Sequence, residues 1–285
     1  MIVADVKFEA LRAWVGRRET HTDLVTSAPL AALAATLDRD GESSNAEVPP
    51  LYHWLYFLPA APMSQLGGDG HPARGGFLPP VPLPRRMWAA SRVAFHAPLR
   101  VGAAVTRTSE IVDVQAKDGR SGPLVFVKVR HELASGATPA VTEDQEIVYR
   151  EDPRPGAASP APKPARAEAA WQREVRPDPV LLFRYSALTF NGHRIHYDHP
   201  YATAVEGYPG LVVHGPLLAT LLADLVRRNL PDAVLTRFEF RAVRPVFDGA
   251  PFQLCGAPAA DGRSVALWVR DAGGALCMEA GATLS

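Results

Sequence analysis

The chain has 285 residues, 47% of them hydrophobic, with 30 basic and 30 acidic side chains. That length holds one large domain or two of about 120–150 residues. The balanced charge leaves no electrostatic case for binding nucleic acid or an anionic membrane surface.

The N-terminal "MIVADVKFEALRAWVGRRET" has charges throughout and lacks the apolar core of a signal peptide. No run of about 20 apolar residues exists to span a bilayer, so a soluble cytoplasmic protein is expected. The first predicted element is a helix around 27–38, "SAPLAALAATLD". Its leucines and alanines recur at helical spacing, and Ser27 before Pro29 marks its start. After a Gly/Pro-rich region come four strands, "MWAASRVAFH", "AAVTRTSEIVDVQ", "LVFVKVRHEL" and "AVTEDQEIVYR". Alternation and β-branched residues define them. Residues 151–170 are rich in Pro and Ala and read as a partly extended linker with no core to join. They divide the chain into a first half, 1–150, and a second half, 171–285.

In the second half, Leu217, Leu218, Leu221, Leu222 and Leu225 form the stripe of a longer helix, 215–228. Four more strands follow: "VLTRFEFRAVRPV", "PFQLCGAP", "SVALWVRD" and "ALCMEAGATL". Cys255 and Cys277 lie in these runs without metal-like spacing and read as buried thiols in a reducing compartment. The halves share punctuation. Pro98 and Gly102 match Pro245 and Gly249, and "DGRS" occurs at 118–121 and at 261–264. Asp-Gly between apolar strands signals a hairpin, because glycine tolerates positive φ. Each half therefore reads as a helix followed by an antiparallel sheet. This is an α+β tandem (double) hot dog, whose two copies pack as a pseudo-dimer within one chain. A homodimer of such tandem chains is compatible with the layout.

The chemistry concentrates in "FNGHRIHYDHPYA", Phe190 to Ala202. The spacing of Asn191 and His196 suits a tight loop that turns both side chains into one cavity. Histidine titrates near neutral pH and passes a proton either way. An asparagine amide donates and accepts. Together they could hold the water of a hydration reaction; equally, they suit a capping Asn and a solvated His. No metal is expected: the His193-x-x-x-x-x-His199 interval with Asp198 falls short of the strong zinc patterns. Asp198 reads more simply as an N-cap. His214-Gly215 opens the second helix. An amide there lies at the positive end of the helix dipole and can receive a thioester oxyanion, or can simply be a helix terminus.

"YSALTFNGHRIHYDHPYA" and "YPGLVVHGPLLATLL" resemble the MaoC-like, or (R)-specific enoyl-thioester hydratase, family. That resemblance implies a hot-dog fold, an Asp-His dyad with the His five positions later, and His-Gly at the start of the central helix. Here Asn191 falls at the Asp position and His196 at the His position. An amide replaces the carboxylate, so His196 would carry the proton alone while Asn191 orients the water. "LYHWLYFLP", "GHPARGGFLPPVPLPRRMWAA" and "FHAPLRVG" look like the subgroup of mesaconyl-C4-CoA hydratase, itaconyl-CoA hydratase and hydroxyacyl-thioester dehydratase type 2. The resemblance implies a hydro-lyase acting on an α,β-unsaturated acyl-CoA, best a short dicarboxylic one. No cofactor is expected, since coenzyme A is part of the substrate. His196, Asn191 and Gly215 would form the catalytic set, with one active site per chain. His214 would bind substrate, and Arg184, Arg194 and Arg74 are candidates for a distal carboxylate. The competing readings are a hot-dog thioesterase, for which the helix offers only Asp224, and a non-catalytic acyl-CoA-binding protein.

Overall fold

Alternating apolar and polar residues produce two antiparallel sheets that join edge to edge. A computed structural model describes residues 9–39, 47–119, 122–152 and 161–285. The strands are β1 (Arg18–Leu24), β2 (Arg85–Phe95), β3 (Ala104–Gly119), β4 (Gly122–Ser135), β5 (Thr138–Arg150), β6 (Trp171–Val175), β7 (Leu235–Ala242), β8 (Phe252–Pro258), β9 (Ser264–Asp271) and β10 (Leu276–Leu284). The helices are α1 (Ser27–Thr36), α2 (Pro179–Leu188) and α3 (Gly215–Asn229). All eight expected strands form. The sequence reading missed β1 and β6, "RETHTDL" and "WQREV", which lie at the two edges of the sheet and show polar, mostly exposed side chains. It also missed α2, which starts on Pro179 with Asp178 capping the Leu181 N–H at 2.7 Å.

The sheet order is β1-β3-β4-β5-β2-β7-β10-β9-β8-β6. The first five positions run β1-β3-β4-β5-β2. Read inward from the other edge, the last five run β6-β8-β9-β10-β7, which is the same order. This repeat is the double hot dog. The halves meet where β2 pairs with β7, from Ala90↔Arg241 to Ala94↔Arg237. Gly102 and Gly249 adopt matching positive φ, 87° and 85°, just before β3 and β8. Gly262, φ 68°, turns the β8–β9 hairpin. In the first copy of "DGRS", Gly119 still pairs with Gly122, and residues 120–121 lie outside the described residues.

The halves differ at the centre. In the second half α3 runs through the core, with every residue from Leu217 to Val226 buried. Among the described residues, the first half has no long helix in that place. Its predicted helix is α1, ten residues long, and it packs on α2. The following segment, 49–84, carries nine prolines, which remove helical N–H donors and clash with the preceding turn. The result is irregular chain with two short 3₁₀ turns, Tyr52–Leu55 and Met63–Gln65. Residues 153–160 of the expected linker lie outside the described residues. Its last part joins the sheet rather than running free: Pro164 bridges to Ala275, and the Leu276 N–H donates to the Lys163 carbonyl.

Candidate active site

A cleft of about 1900 Å³ lies between the halves. Segments 53–78 and 84–88 of the first half line it, together with 185–197, 212–218 and 242–246 of the second. The chain enters it from α2. Phe190 takes a left-handed conformation, φ 49°, past the helix end. That turn brings Asn191 to the cavity wall, where its N–H donates to the Ser186 carbonyl at 2.8 Å. Asn191 Oδ1 accepts the His193 N–H at 3.0 Å. This bond closes a local turn and caps no helix, since the 3₁₀ turn that follows has His193 at its start without a side-chain cap; it leaves the amide NH2 as the group available to a ligand.

His196 ends a 3₁₀ turn and is only 7% exposed, so it is not a solvated loop histidine. Its Nδ1–H donates to the Val212 carbonyl at 2.7 Å. This bond fixes the tautomer and leaves Nε2 as a proton acceptor. Burial pushes the imidazole down to about 4, against the opposing pull of the Val212 carbonyl. The ring is neutral at physiological pH, the state a general base requires. Asn191, His196 and Gly215 all line the one cleft. The Gly215 N–H is the first of α3 and has no acceptor inside the helix.

The other expected site residues are placed differently. His214 is fully buried behind His196 and does not line the cleft. Its ring stacks on His196 at 3.7 Å between centroids, and its Nε2 shares a 2.8 Å hydrogen bond with Ser186 Oγ. It backs the His196 ring and does not line the cleft. Arg184 is exposed on α2, away from the cleft. Arg74 lines the cleft, but its guanidinium donates to the carbonyls of Val81, Leu83 and Pro84. Arg194 pairs with Asp198 at 2.8 Å, donates to the Gly68 carbonyl and lies over the Tyr201 ring. These arginines tie loops together. Asp198 caps the short helical turn that follows, accepting the Tyr201 N–H at 3.1 Å. His199 is exposed and off the cleft. Asp224 is also off the cleft, and its carboxylate is enclosed by Arg39, Arg173 and Arg228 at 2.7–2.8 Å. It has no access to a thioester, which removes the residue on which the thioesterase reading depended.

Two polar groups from the first half escaped the sequence reading. One is Asp69 and His71 beside His193; donor atoms of the three lie within 4.8 Å of one another, the one metal-compatible cluster found among the described residues. The other is Glu143, 2% exposed, which accepts from His53, Trp54, Ser91 and Gln145. Burial opposes its charge, yet the His53 hydrogen bond and charge hold it down near about 2. Arg107 stands near this cluster with its Nε buried and unpartnered. Glu143, His131 and Arg107 sit inside apparently ordinary alternating strands, so only a polar residue at an inward position could have flagged them.

Residues 51–248 match the family model of hydroxyacyl-thioester dehydratase type 2. The chain belongs to that family. It is a hydro-lyase of acyl thioesters, as its resemblance implied. It is 51% identical to the mesaconyl-C(4)-CoA hydratase of Chloroflexus aurantiacus over 87% of this chain and 89% of that one. A MaoC-like dehydratase from Phytophthora capsici superposes with a TM-score of 0.69 at 16% identity, over 99% of this chain and 98% of that one. A Mycobacterium tuberculosis protein with a double hot-dog fold superposes with a TM-score of 0.55 at 16% identity, over 98% of both chains. Among the described residues, no helix is long and apolar enough to cross a membrane.

Proposed function

We propose that the chain catalyses reversible hydration of a short dicarboxylic α,β-unsaturated acyl-CoA, with mesaconyl-C4-CoA as the leading substrate. The observation that carries the reading is His196: a buried neutral imidazole, its Nδ1 proton held by Val212, with Nε2 left to the cleft. In the proposed reaction, the Asn191 amide and His196 Nε2 hold a water. As its oxygen bonds to Cβ, Nε2 takes the proton and the electron pair moves to the thioester oxygen, received by the Gly215 N–H. The same proton then passes from Nε2 to Cα. No cofactor takes part; coenzyme A arrives with the substrate.

The 51% identity to a mesaconyl-C4-CoA hydratase supports the choice of acyl group. So does Arg107 on the cleft wall: its Nε is buried without a partner, and its guanidinium, which lies over the Phe57 ring and makes one long 3.5 Å hydrogen bond to the Phe57 carbonyl, is less engaged than Arg74 and Arg194 and suits a substrate carboxylate better. The proposal includes the division at 151–170, with the first half shaping the pocket and the second carrying the chemistry. It also places the enzyme in the cytoplasm, in keeping with two buried free cysteines. The test follows the enoyl-thioester absorbance with mesaconyl-C4-CoA, itaconyl-CoA and crotonyl-CoA while free thiol is measured. Loss of absorbance without thiol, fastest for a dicarboxylic substrate, is expected. Thiol release, or no change with any of the three, would sink the reading.

A further inference from the structure

His196 must carry a positive charge during the reaction proposed above, because Nδ1 keeps its proton, donated to the Val212 carbonyl, while Nε2 takes the proton of water. A buried cation is costly without a nearby anion. Asn191 cannot supply one. His214 stacks against the ring and Ser186 is a neutral hydroxyl. His193 stands edge-on to His196, with centroids 5.4 Å apart, and His71 lies against His193 at 4.1 Å. His71 Nδ1–H donates in turn to Asp69 Oδ2 at 3.0 Å. A carboxylate of the first half therefore stands at the end of a contiguous row of imidazoles that ends on His196.

The row is rigidly built. Gly67 and Gly70 close a turn in which the Gly67 N–H donates to the His71 carbonyl, and the His71 N–H donates to Asp69 Oδ1. The turn is docked on the catalytic loop by the Arg194 N–H, which donates to the Asp69 carbonyl at 2.9 Å, and by the Arg194 side chain on the Gly68 carbonyl. Gly70 has φ 87°, and a Cβ there would lie 1.9 Å from the Gly192 carbonyl oxygen. Only glycine lets the two loops approach this closely.

We propose that Asp69 and His71 are positioning residues of this active site. Asp69 fixes the His71 tautomer, and the pair holds His193 edge-on against His196. The inference rests on the hydratase reading. It adds no reactant: the proton that leaves water goes to His196 Nε2 and on to Cα.

The experiment compares the wild type with Asp69→Asn, His71→Asn and the double variant on whichever enoyl-CoA of the panel the wild type hydrates. Neither residue holds substrate in this scheme. Each single variant should lower kcat about 10- to 100-fold, the scale of a misoriented catalytic group, with KM within about threefold and an unchanged thermal midpoint. The double variant should be no worse than the worse single one, since the two act as a unit. Chelator treatment should leave the wild type fully active. A wild type that hydrates normally while Asp69→Asn keeps its kcat overturns this proposal alone, as do additive losses in the double variant. A chelator-sensitive activity restored by zinc overturns it as well, because Asp69, His71 and His193 would then be metal ligands. A wild type that hydrates nothing in the panel sinks the functional reading, and this inference with it.

Discussion

At the scale of single residues, the proposed chemistry rests on two positions. His196→Ala removes the one buried, neutral imidazole whose Nε2 is left to the cleft. A lost general base costs about 10²–10⁴-fold, so kcat in the hydration assay should fall by that much while the far-UV spectrum stays unchanged. A variant keeping a third of the activity would show that His196 is not the base. Asn191 is read through its neighbour. Asn191→Ala loses both the proposed water contact and the hydrogen bond to the His193 N–H, and should lower kcat about 10–1000-fold. Asn191→Asp keeps that hydrogen bond and adds an anion. An anion beside an imidazole favours its charged form, so the His196 value rises from about 4. The acid limb of the kcat/KM profile should move to higher pH. An unmoved limb would mean the two side chains do not share a site.

At the scale of elements, α3 matters most, because it carries Gly215 at one end and Asp224 near the other. The helix is buried around its whole circumference for ten residues, so Asp224 enters the interior and meets three arginines from three elements. Arg39 follows α1, Arg173 lies in β6 and Arg228 lies in α3 itself. Removing one partner of such a group leaves the others uncompensated, at about 3–5 kcal/mol. Asp224→Ala should lower the denaturation midpoint accordingly and leave kcat per folded molecule unchanged. A matching loss of kcat in a folded variant would place Asp224 in the reaction after all.

At the scale of the whole molecule, the cleft holds neutral histidines drawn from both halves. Burial pushes His131 and His196 down to about 4 and His193 to about 2. The unfolded chain binds these protons near 6.5, whereas the fold accepts them only near 4 or below. Between those values the unfolded state holds more protons, and stability falls as pH falls. Glu143, held down to about 2 from its ordinary 4.5, adds to the loss from about pH 5 downward, where the unfolded chain takes up that proton and the fold does not. The thermal midpoint should be nearly level from pH 8 to 7 and drop between 6.5 and 4. A midpoint unchanged down to pH 4.5 would mean that these rings are not buried neutral.

Period-two alternation, hairpin glycines and the leucine stripe of α3 are written within a few neighbouring residues, so the eight strands and the long helix were legible without coordinates. The loop from Asn191 to His196 was legible for the same reason. The edge strands β1 and β6 were not, because a strand that buries little carries little hydrophobic pattern. The placement of His214 behind His196, and the diversion of Arg74 and Arg194 to backbone carbonyls, depends on which loops face each other. That is decided when β2 pairs with β7 and Gly70 meets Gly192. Asp69 and His71 lie far from His193 in the chain and share no local pattern with it. Their contact is made when the irregular, proline-rich segment of the first half docks against the loop that carries His193, through Arg194 on the carbonyls of Gly68 and Asp69.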